Sequence, residues 1–208
     1  MLEHLKRPAL LVVDMQNDFV RREAPLEVPS ARETIPVIGD LIGKFRRAGL
    51  PVVYTRYIAD DLYRPLAARF GWIGRLQPPV NACVPGFRRH YADLDAERDV
   101  IDVIDELLPQ PGEDVVDKIY YSAFHRTDLE DRLRAHAVDG LAVVGTITEM
   151  CVEDTARHAV HHGYPTVLVA DGLSSNAPLQ HEATLAAFER NYGWVMHADE
   201  LGAVFRLS

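Results

Sequence analysis

The chain has 208 residues, of which 48% are hydrophobic and 25% charged, and this balance is typical of a folded globular protein. A chain of this length forms one domain, so we expect a single domain over residues 1–208. The formal net charge of −9 at pH 7 repels polyanions, which argues against nucleic acid and anionic membranes as partners. The N-terminal apolar run at residues 9–13 is too short for a membrane span or a signal peptide, and a cytoplasmic location is expected.

Strands and helices are predicted to alternate along most of the chain. Short apolar runs rich in β-branched residues predict strands at residues 8–13, 51–55, 114–117, 141–144 and 166–170, with a short strand around Val195. Apolar residues at helical spacing predict helices at residues 35–45, 128–137, 151–162 and 181–192. This alternation predicts an α/β fold: a doubly wound, mostly parallel six-stranded sheet with helices on both faces.

Residues 56–98 break this alternation, because they show no clear periodicity. Long irregular segments in compact domains are usually functional or disordered, and this one is too aromatic for disorder. Its aromatic residues are Tyr57, Tyr63, Phe70, Trp72, Phe87 and Tyr91. We therefore expect a lid or a contact between copies of the chain in a homo-oligomer, either a dimer or a tetramer.

Three reactive side chains follow predicted strands of the sheet. Asp14 comes after the first strand, Lys118 after the strand at 114–117, and Cys151 shortly after the strand at 141–144. Ligands of open α/β sheets bind beyond the carboxyl ends of the strands, where these residues fall. Cys151 is predicted to open a helix with Thr148 as its N-cap, and the helix dipole together with Lys118 should lower the pKa of the thiol.

The residue types alone leave a structural interpretation open. Asp14 could cap a turn, Lys118 could be a solvated strand end, and Cys151 could be a small buried hydrophobe. Since such residues are common at loop ends, their positions do not decide between the two interpretations.

Residues 9–19 (ALLVVDMQNDF), 118–129 (KIYYSAFHRTDL) and 145–155 (GTITEMCVEDT) resemble the three signature segments of the isochorismatase-like cysteine hydrolases. The likeness runs from about residue 8 to residue 194 in matching order. Asp14, Lys118 and Cys151 stand on the positions of the family's triad. The resemblance implies a non-proline cis peptide between Thr146 and Ile147, which turns the backbone amides of Ile147 and Cys151 into an oxyanion hole.

Substrate contacts are predicted less directly. The resemblance implies that Phe124, in the second segment, forms a wall of the pocket, although it could equally be ordinary core. Arg56 and Arg64 could bind a substrate carboxylate or ureido oxygen through their guanidinium groups, or form surface salt bridges. His125 is expected to be a solvated loop residue. Cys83, in a proline-rich loop, is taken as incidental.

No metal or other cofactor is expected. Nicotinamidases of this superfamily carry a Thr-x-Asp-x-His metal motif after the second strand, whereas here Thr55 is followed by residues that supply neither the Asp nor the His. The histidines at positions 158, 161 and 162 lie at helical spacing in the last turn of a predicted helix, where cationic side chains suit the dipole. A zinc site needs three or four converging ligands, so these histidines are not expected to bind a metal.

The resemblance implies a metal-independent cysteine hydrolase that cleaves the C–N bond of a small amide, ureide or carbamoyl compound through a thioester on Cys151. An alternative is vinyl-ether hydrolysis of the isochorismatase type, which needs an acid such as Asp14 but no thiol. A second alternative is a non-catalytic small-molecule-binding protein on the same fold. A dinucleotide-binding domain is disfavoured, because no G-x-G-x-x-G motif follows the first strand.

Overall fold

The computed structural model describes residues 2–207, and its centre is a parallel sheet of six strands in the order β5-β2-β1-β6-β7-β8. The sheet strands are β1 (Pro8–Val13), β2 (Val52–Tyr57), β5 (Asp114–Lys118), β6 (Gly140–Thr146), β7 (Thr166–Ser174) and β8 (Trp194–Met196). A separate antiparallel hairpin is formed by β3 (Arg88–Tyr91) and β4 (Ala96–Asp99). The predicted α/β class and the six parallel strands are confirmed.

Helices cover both faces of this sheet. They are α1 (Asn17–Val20), α2 (Ala31–Arg47), α3 (Gly71–Gly74), α4 (Leu129–Ala135), α5 (Glu153–His161), α6 (Pro178–Asn191) and α7 (Ala198–Val204). Alternate residues of β1 point to opposite sides, so Leu10 and Val12 join the core under α2 and α7 while Leu11 and Val13 join the core under α4, α5 and α6. Burial on both faces explains why β1 reads as an uninterrupted apolar run.

Most predicted elements have slightly different ends in the structure, and the differences are largest in α2 and β7. Helix α2 begins at Ala31 instead of residue 35, and β7 continues to Ser174 instead of residue 170. The extension of β7 follows a shift in its register with β6 between Val143 and Gly145, where the ladder resumes at Leu173. An irregular ladder of this kind leaves no periodic signal in the sequence.

The segment at residues 56–98 is irregular, as predicted, but it is packed onto the sheet. It contains a 3₁₀-helical stretch at Asp61–Ala68, helix α3 and most of the β3–β4 hairpin. Ile73, Leu76 and Ala82 from this segment are buried in the core on the α2 side. Within residues 2–207, no helix is long and apolar enough to cross a membrane.

Candidate active site

The carboxyl ends of β1, β5 and β6 bring Asp14, Lys118 and Cys151 together. Asp14 directly follows β1, Lys118 is the last residue of β5, and Cys151 lies in the turn between β6 and α5. Strand β2 separates β1 from β5, so the lysine side chain reaches across the end of β2 to the carboxylate. All three are buried, Asp14 and Lys118 at 0% exposure and Cys151 at 5%, which excludes a solvated strand end for Lys118.

The Lys118 ammonium joins the other two side chains. Its Nζ lies 2.7 Å from Asp14 Oδ2 and donates a hydrogen bond to Cys151 Sγ at 3.2 Å. It also donates to the carbonyl of Tyr120 at 3.0 Å and lies 5.2 Å from the centroid of the Tyr57 ring. The buried cation is thus compensated by a carboxylate, a sulfur, a carbonyl and a π face.

The backbone and Thr55 fix the orientation of Asp14. Asp14 adopts a left-handed conformation with φ of 51°, which aspartate tolerates better than most residues. Thr55, paired with the end of β1, donates from its hydroxyl to Asp14 Oδ1 at 2.6 Å. Among residues 2–207, no group forms a well-directed hydrogen bond to Oδ2, although Lys118 pairs with it ionically. Oδ2 therefore retains a lone pair that can accept a proton.

Cys151 is carried by a single π-helical turn, Thr148–Val152, that precedes α5. The prediction that Cys151 opens the α-helix with Thr148 as N-cap is wrong, because the Thr148 hydroxyl donates to the carbonyl of Ser174 at 3.0 Å and α5 begins at Glu153. The Thr146–Ile147 peptide is cis, as expected. Gly145 has φ of 116°, and a Cβ there would lie 2.1 Å from the carbonyl oxygen of Val13, so only glycine allows β6 to run this close to the end of β1.

Burial dominates the ionisation of the thiol. It raises the pKa of Cys151 well above that of a free cysteine; the Lys118 charge lowers it in part, and Asp14 raises it again. The expectation of a lowered pKa for Cys151 is therefore wrong, because desolvation outweighs the effect of the Lys118 charge. Burial lowers the pKa of Lys118, but Asp14 and Cys151 more than offset this effect, and its pKa lies above the ordinary value. In the resting site Cys151 is therefore a thiol and Lys118 an ammonium.

A cavity of about 250 Å³ opens above Cys151. Its walls are mostly apolar and aromatic, and three charged residues also line it: Glu27, Arg75 and Glu149. The remaining lining residues are Phe19, Leu26, Tyr57, Trp72, Tyr121, Ile147, Met150, Cys151 and Asn176. Size and composition suit a small organic molecule bound through a few polar contacts.

The two predicted substrate contacts, Phe124 and Arg56, are not among the lining residues. Phe124 stacks on His162, with ring centroids 4.8 Å apart, on the side of the sheet covered by α4 and α5. Arg56 pairs with Asp117 at 2.7 Å and with Asp102 at 3.1 Å. Successive side chains of a strand alternate in direction, so Arg56 points away from the face that its neighbours in β2 present to the site.

The other candidates also have structural partners. Arg64 pairs with Asp61 at 2.6 Å on the surface, and His125 Nε2 lies 2.8 Å from the Tyr63 hydroxyl. His158 Nδ1 lies 2.6 Å from Ser122 Oγ. Over residues 2–207, no group of three or more His, Cys, Asp or Glu side chains is arranged to hold a metal ion. Both cysteines are free and buried.

Sequence reasoning missed Arg75 and Glu149. Arg75 belongs to the irregular segment at residues 56–98, and its Nη1 donates to the carbonyl of Pro25 at 2.6 Å. Glu149 lies inside the segment GTITEMCVEDT, two residues before Cys151. Its proximity to the cysteine was the one available signal.

The model of the isochorismatase domain family matches residues 8–200, and the chain belongs to this family. Ureidoacrylate amidohydrolase RutB from Pseudomonas syringae pv. syringae is 30% identical, over 95% of this chain and 83% of that protein. A cysteine hydrolase from Pseudomonas syringae pv. phaseolicola superposes with a TM-score of 0.79 at 28% identity, covering 95% of this chain and 92% of that one. N-carbamoylsarcosine amidase from Thermoplasma acidophilum gives a TM-score of 0.73 at 31% identity, covering 93% and 98%.

Proposed function

We propose that this chain is a metal-independent amidohydrolase that cleaves a non-peptide C–N bond of a small amide, ureide or carbamoyl compound. Family membership and the names of two relatives, a ureidoacrylate amidohydrolase and an N-carbamoylsarcosine amidase, support this class of reaction. The observation that carries the mechanism is the position of Lys118 Nζ between Asp14 Oδ2 and Cys151 Sγ, beneath a substrate-sized cavity.

In the first half of the reaction, Asp14 Oδ2 takes the thiol proton as Cys151 Sγ attacks the carbonyl carbon. The electron pair of the C=O bond moves to oxygen, and the oxyanion is stabilised by the backbone amides of Ile147 and Cys151. The C–N bond then breaks as Asp14 returns the proton to the leaving nitrogen. Ammonia or an amine departs, and the acyl group remains on sulfur as a thioester.

In the second half, water replaces the leaving group. Asp14 takes a proton from this water, and its oxygen attacks the thioester carbon. The C–S bond breaks, the acid is released, and the sulfur recovers its proton from Asp14. Lys118 keeps its proton throughout and stabilises whichever partner carries the negative charge, because its pKa is held high by both.

Arg75 supports a substrate that also carries a carboxylate. Among the described residues that line the cavity, Arg75 alone is a cation; its Nη1 donates to the carbonyl of Pro25, and residues 2–207 supply no acceptor for its other N–H groups. Guanidinium groups bind carboxylates with two parallel hydrogen bonds. We therefore assign to Arg75 the carboxylate-binding role that was expected of Arg56. Ureidoacrylate and N-carbamoylsarcosine fit such a site, because each carries both a carboxylate and a carbamoyl nitrogen.

Ammonia release from ureidoacrylate, N-carbamoylsarcosine and simple primary amides tests this function. Wild-type protein should release ammonia in the presence of a chelator, and Cys151→Ala should not, with circular dichroism as the folding control. Mass spectrometry of acid-quenched wild-type protein should detect the acyl group on Cys151. Ammonia release by folded Cys151→Ala would remove Cys151 as the nucleophile, and loss of wild-type ammonia release in chelator would contradict the metal-independent mechanism.

A further inference from the structure

Helix α6 contacts the turn that carries Cys151 through the side chain of His181. This residue lies near the start of α6, and its Nδ1 lies 2.9 Å from the hydroxyl oxygen of Thr148. Thr148 is fully buried and is the first residue of the π-helical turn Thr148–Val152. A side-chain hydrogen bond therefore ties α6 directly to the turn of the nucleophile.

The hydroxyl of Thr148 determines which way the proton of this hydrogen bond points. A hydroxyl has one proton, and Thr148 donates it to the carbonyl oxygen of Ser174 at 3.0 Å. His181 Nδ1 must then be the donor to Thr148, because the hydroxyl has only lone pairs left for a second bond. A chain of two hydrogen bonds thus runs from the imidazole through the hydroxyl to the end of β7.

This chain ends one peptide bond away from the candidate oxyanion hole. Ile147 directly precedes Thr148, and its backbone N–H is one of the proposed donors. The carbonyl oxygen of Ile147 accepts from the backbone N–H groups of Met150 and Val152 at 3.1 and 3.2 Å, so the turn closes on the same residue. A displacement of Thr148 therefore moves the Ile147 peptide. An oxyanion donor is effective only at about 2.7–3.1 Å from the developing charge.

A second residue of α6 makes a comparable contact on the other side of Cys151 in the sequence. Thr184, about one turn after His181, donates from its hydroxyl to Glu153 Oε2 at 3.1 Å. Glu153 is the first residue of α5 and follows the turn. Both contacts pack α6 against the same part of the chain, but the contact of His181 adjoins Ile147. Loss of the Thr184 hydroxyl thus measures the general effect of loosening α6.

We propose that His181 is a positioning residue for the oxyanion hole, which holds the Ile147 N–H in place by donating from Nδ1 to Thr148. This inference rests on the proposed function, because the oxyanion forms when Cys151 attacks a carbonyl carbon. Ionisation of the thiol depends on its burial and on the neighbouring charges. Loss of the imidazole N–H should therefore weaken the stabilisation of the oxyanion and leave the reactivity of the thiol unchanged.

Four variants separate the N–H from the rest of the structure. His181→Phe keeps a ring but removes the donor, and His181→Asn places an amide N–H close to the position of Nδ1. Thr148→Val removes the hydroxyl on the other side of the hydrogen bond, and Thr184→Val is the matched control. Circular dichroism establishes that each variant is folded. If His181→Phe does not fold, Thr148→Val provides the same comparison.

Two reactions of Cys151 report separately on the thiol and on the oxyanion hole. With iodoacetamide, the sulfur displaces iodide from the CH₂ carbon, the thiol proton leaves to Asp14 or solvent, and no oxyanion develops. With propionaldehyde, the sulfur adds to the carbonyl carbon, the electron pair of the C=O bond moves to oxygen, and the thiol proton passes to Asp14 or to that oxygen. Mass spectrometry measures the rate of alkylation. Protection against alkylation by added propionaldehyde gives the dissociation constant of the hemithioacetal.

Removal of the N–H should affect these two reactions differently. His181→Phe and Thr148→Val should each raise the dissociation constant of propionaldehyde about tenfold, which is part of the loss of about 10²–10³ caused by removing an oxyanion donor outright. The rate of alkylation without aldehyde should not change. In ammonia release, kcat should fall while KM stays the same. His181→Asn should restore the wild-type values, and Thr184→Val should keep them. The double variant of His181 and Thr148 should lose no more than either single variant.

The inference and the proposed function fail in different ways. Wild-type affinity for propionaldehyde in His181→Phe and Thr148→Val would overturn the inference. An equal loss in alkylation, an equal loss in Thr184→Val or no recovery in His181→Asn would overturn it too, since each would leave His181 with a general structural role. None of these results bears on ammonia release by the wild-type protein. Conversely, an aldehyde affinity that depends on His181 in a protein that releases no ammonia from any amide would refute the proposed function alone.

Discussion

Replacing Asp14 by Asn should destabilise the fold through the lysine that it leaves behind. Asn keeps an oxygen that can accept from Thr55, so the change removes charge and little else. Lys118 has no exposed surface, and its nearest counter-charge is Asp14 Oδ2 at 2.7 Å. Removing one partner of a buried ion pair costs about 3–5 kcal/mol, whereas replacing both by apolar groups is often close to neutral.

The comparison is a double-mutant cycle of Asp14→Asn, Lys118→Met and the combined variant. Each single change should lower the melting temperature by about 6–20 °C, since 1 kcal/mol corresponds to about 2–4 °C in a protein of this size. The stability lost in the combined variant should be smaller, by about 3 kcal/mol, than the sum of the losses in the two single variants. Thr55→Val removes the hydroxyl that donates to Asp14 Oδ1 and accepts from the Asp14 backbone N–H, but keeps the ion pair, and should cost about 1 kcal/mol for each hydrogen bond lost.

The penalty in Asp14→Asn should also depend on pH. In Asp14→Asn no carboxylate offsets the effect of burial, so the pKa of Lys118 should fall below its ordinary value. A lysine with a lowered pKa in the folded state binds fewer protons there than in the unfolded state, so the variant should be less stable at pH 6 than at pH 9. Urea unfolding followed by circular dichroism measures these differences. The argument from a buried ion pair would be refuted if both single variants melted within 2 °C of the wild-type protein. It would also be refuted if the stability losses of the two single variants simply added in the combined variant.

Three further outcomes are expected. The rate of Cys151 alkylation should be nearly independent of pH between pH 6 and 8 in the wild-type protein, because the thiol proton moves to Asp14 within the site. In Asp14→Asn this rate should rise about tenfold per pH unit, because burial still raises the pKa of the thiol. A tenfold rise per pH unit in the wild-type protein would exclude Asp14 as the proton acceptor. Arg75→Ala should raise KM about tenfold for carboxylate-bearing amides and leave neutral amides unchanged in steady-state assays. Light scattering should find a particle larger than the 23.3 kDa of one chain, because Leu62 and Leu66 of the irregular segment are exposed and a contact between copies would bury them. A monomer would contradict the predicted homo-oligomer.

The sheet and the meeting of Asp14, Lys118 and Cys151 could be predicted from sequence, because both depend on local patterns. Strands buried on both faces read as apolar runs, and parallel strands place their carboxyl ends at one edge. Side chains that follow three such runs must then lie near one another. The turn that carries Cys151 was harder to predict. Threonine is a common N-cap residue, but the Thr148 hydroxyl donates to the carbonyl of Ser174 instead of capping the helix.

The walls of the cavity could not be predicted, because they come from residues 56–98 and from loops without periodicity. Arg75 reaches the cavity only through the packing of Ile73 and Leu76 on the core. The direction of the thiol pKa was also out of reach, since it depends on how much solvent the folded chain excludes. Charge and helix position suggested a lowered pKa for Cys151, and burial reversed the sign.

The aromatic wall gives the protein a built-in optical reporter. Trp72 lies 5.9 Å, between ring centroids, from both Tyr57 and Tyr121, and all three rings line the cavity. A ligand that displaces water from this wall changes the polarity around the indole, and the emission of Trp72 should shift towards shorter wavelength. The second of the two tryptophans, Trp194, lies in the edge strand β8 and supplies a constant background. Fluorescence titration of the Cys151→Ala variant can therefore rank candidate substrates by affinity before any product is identified.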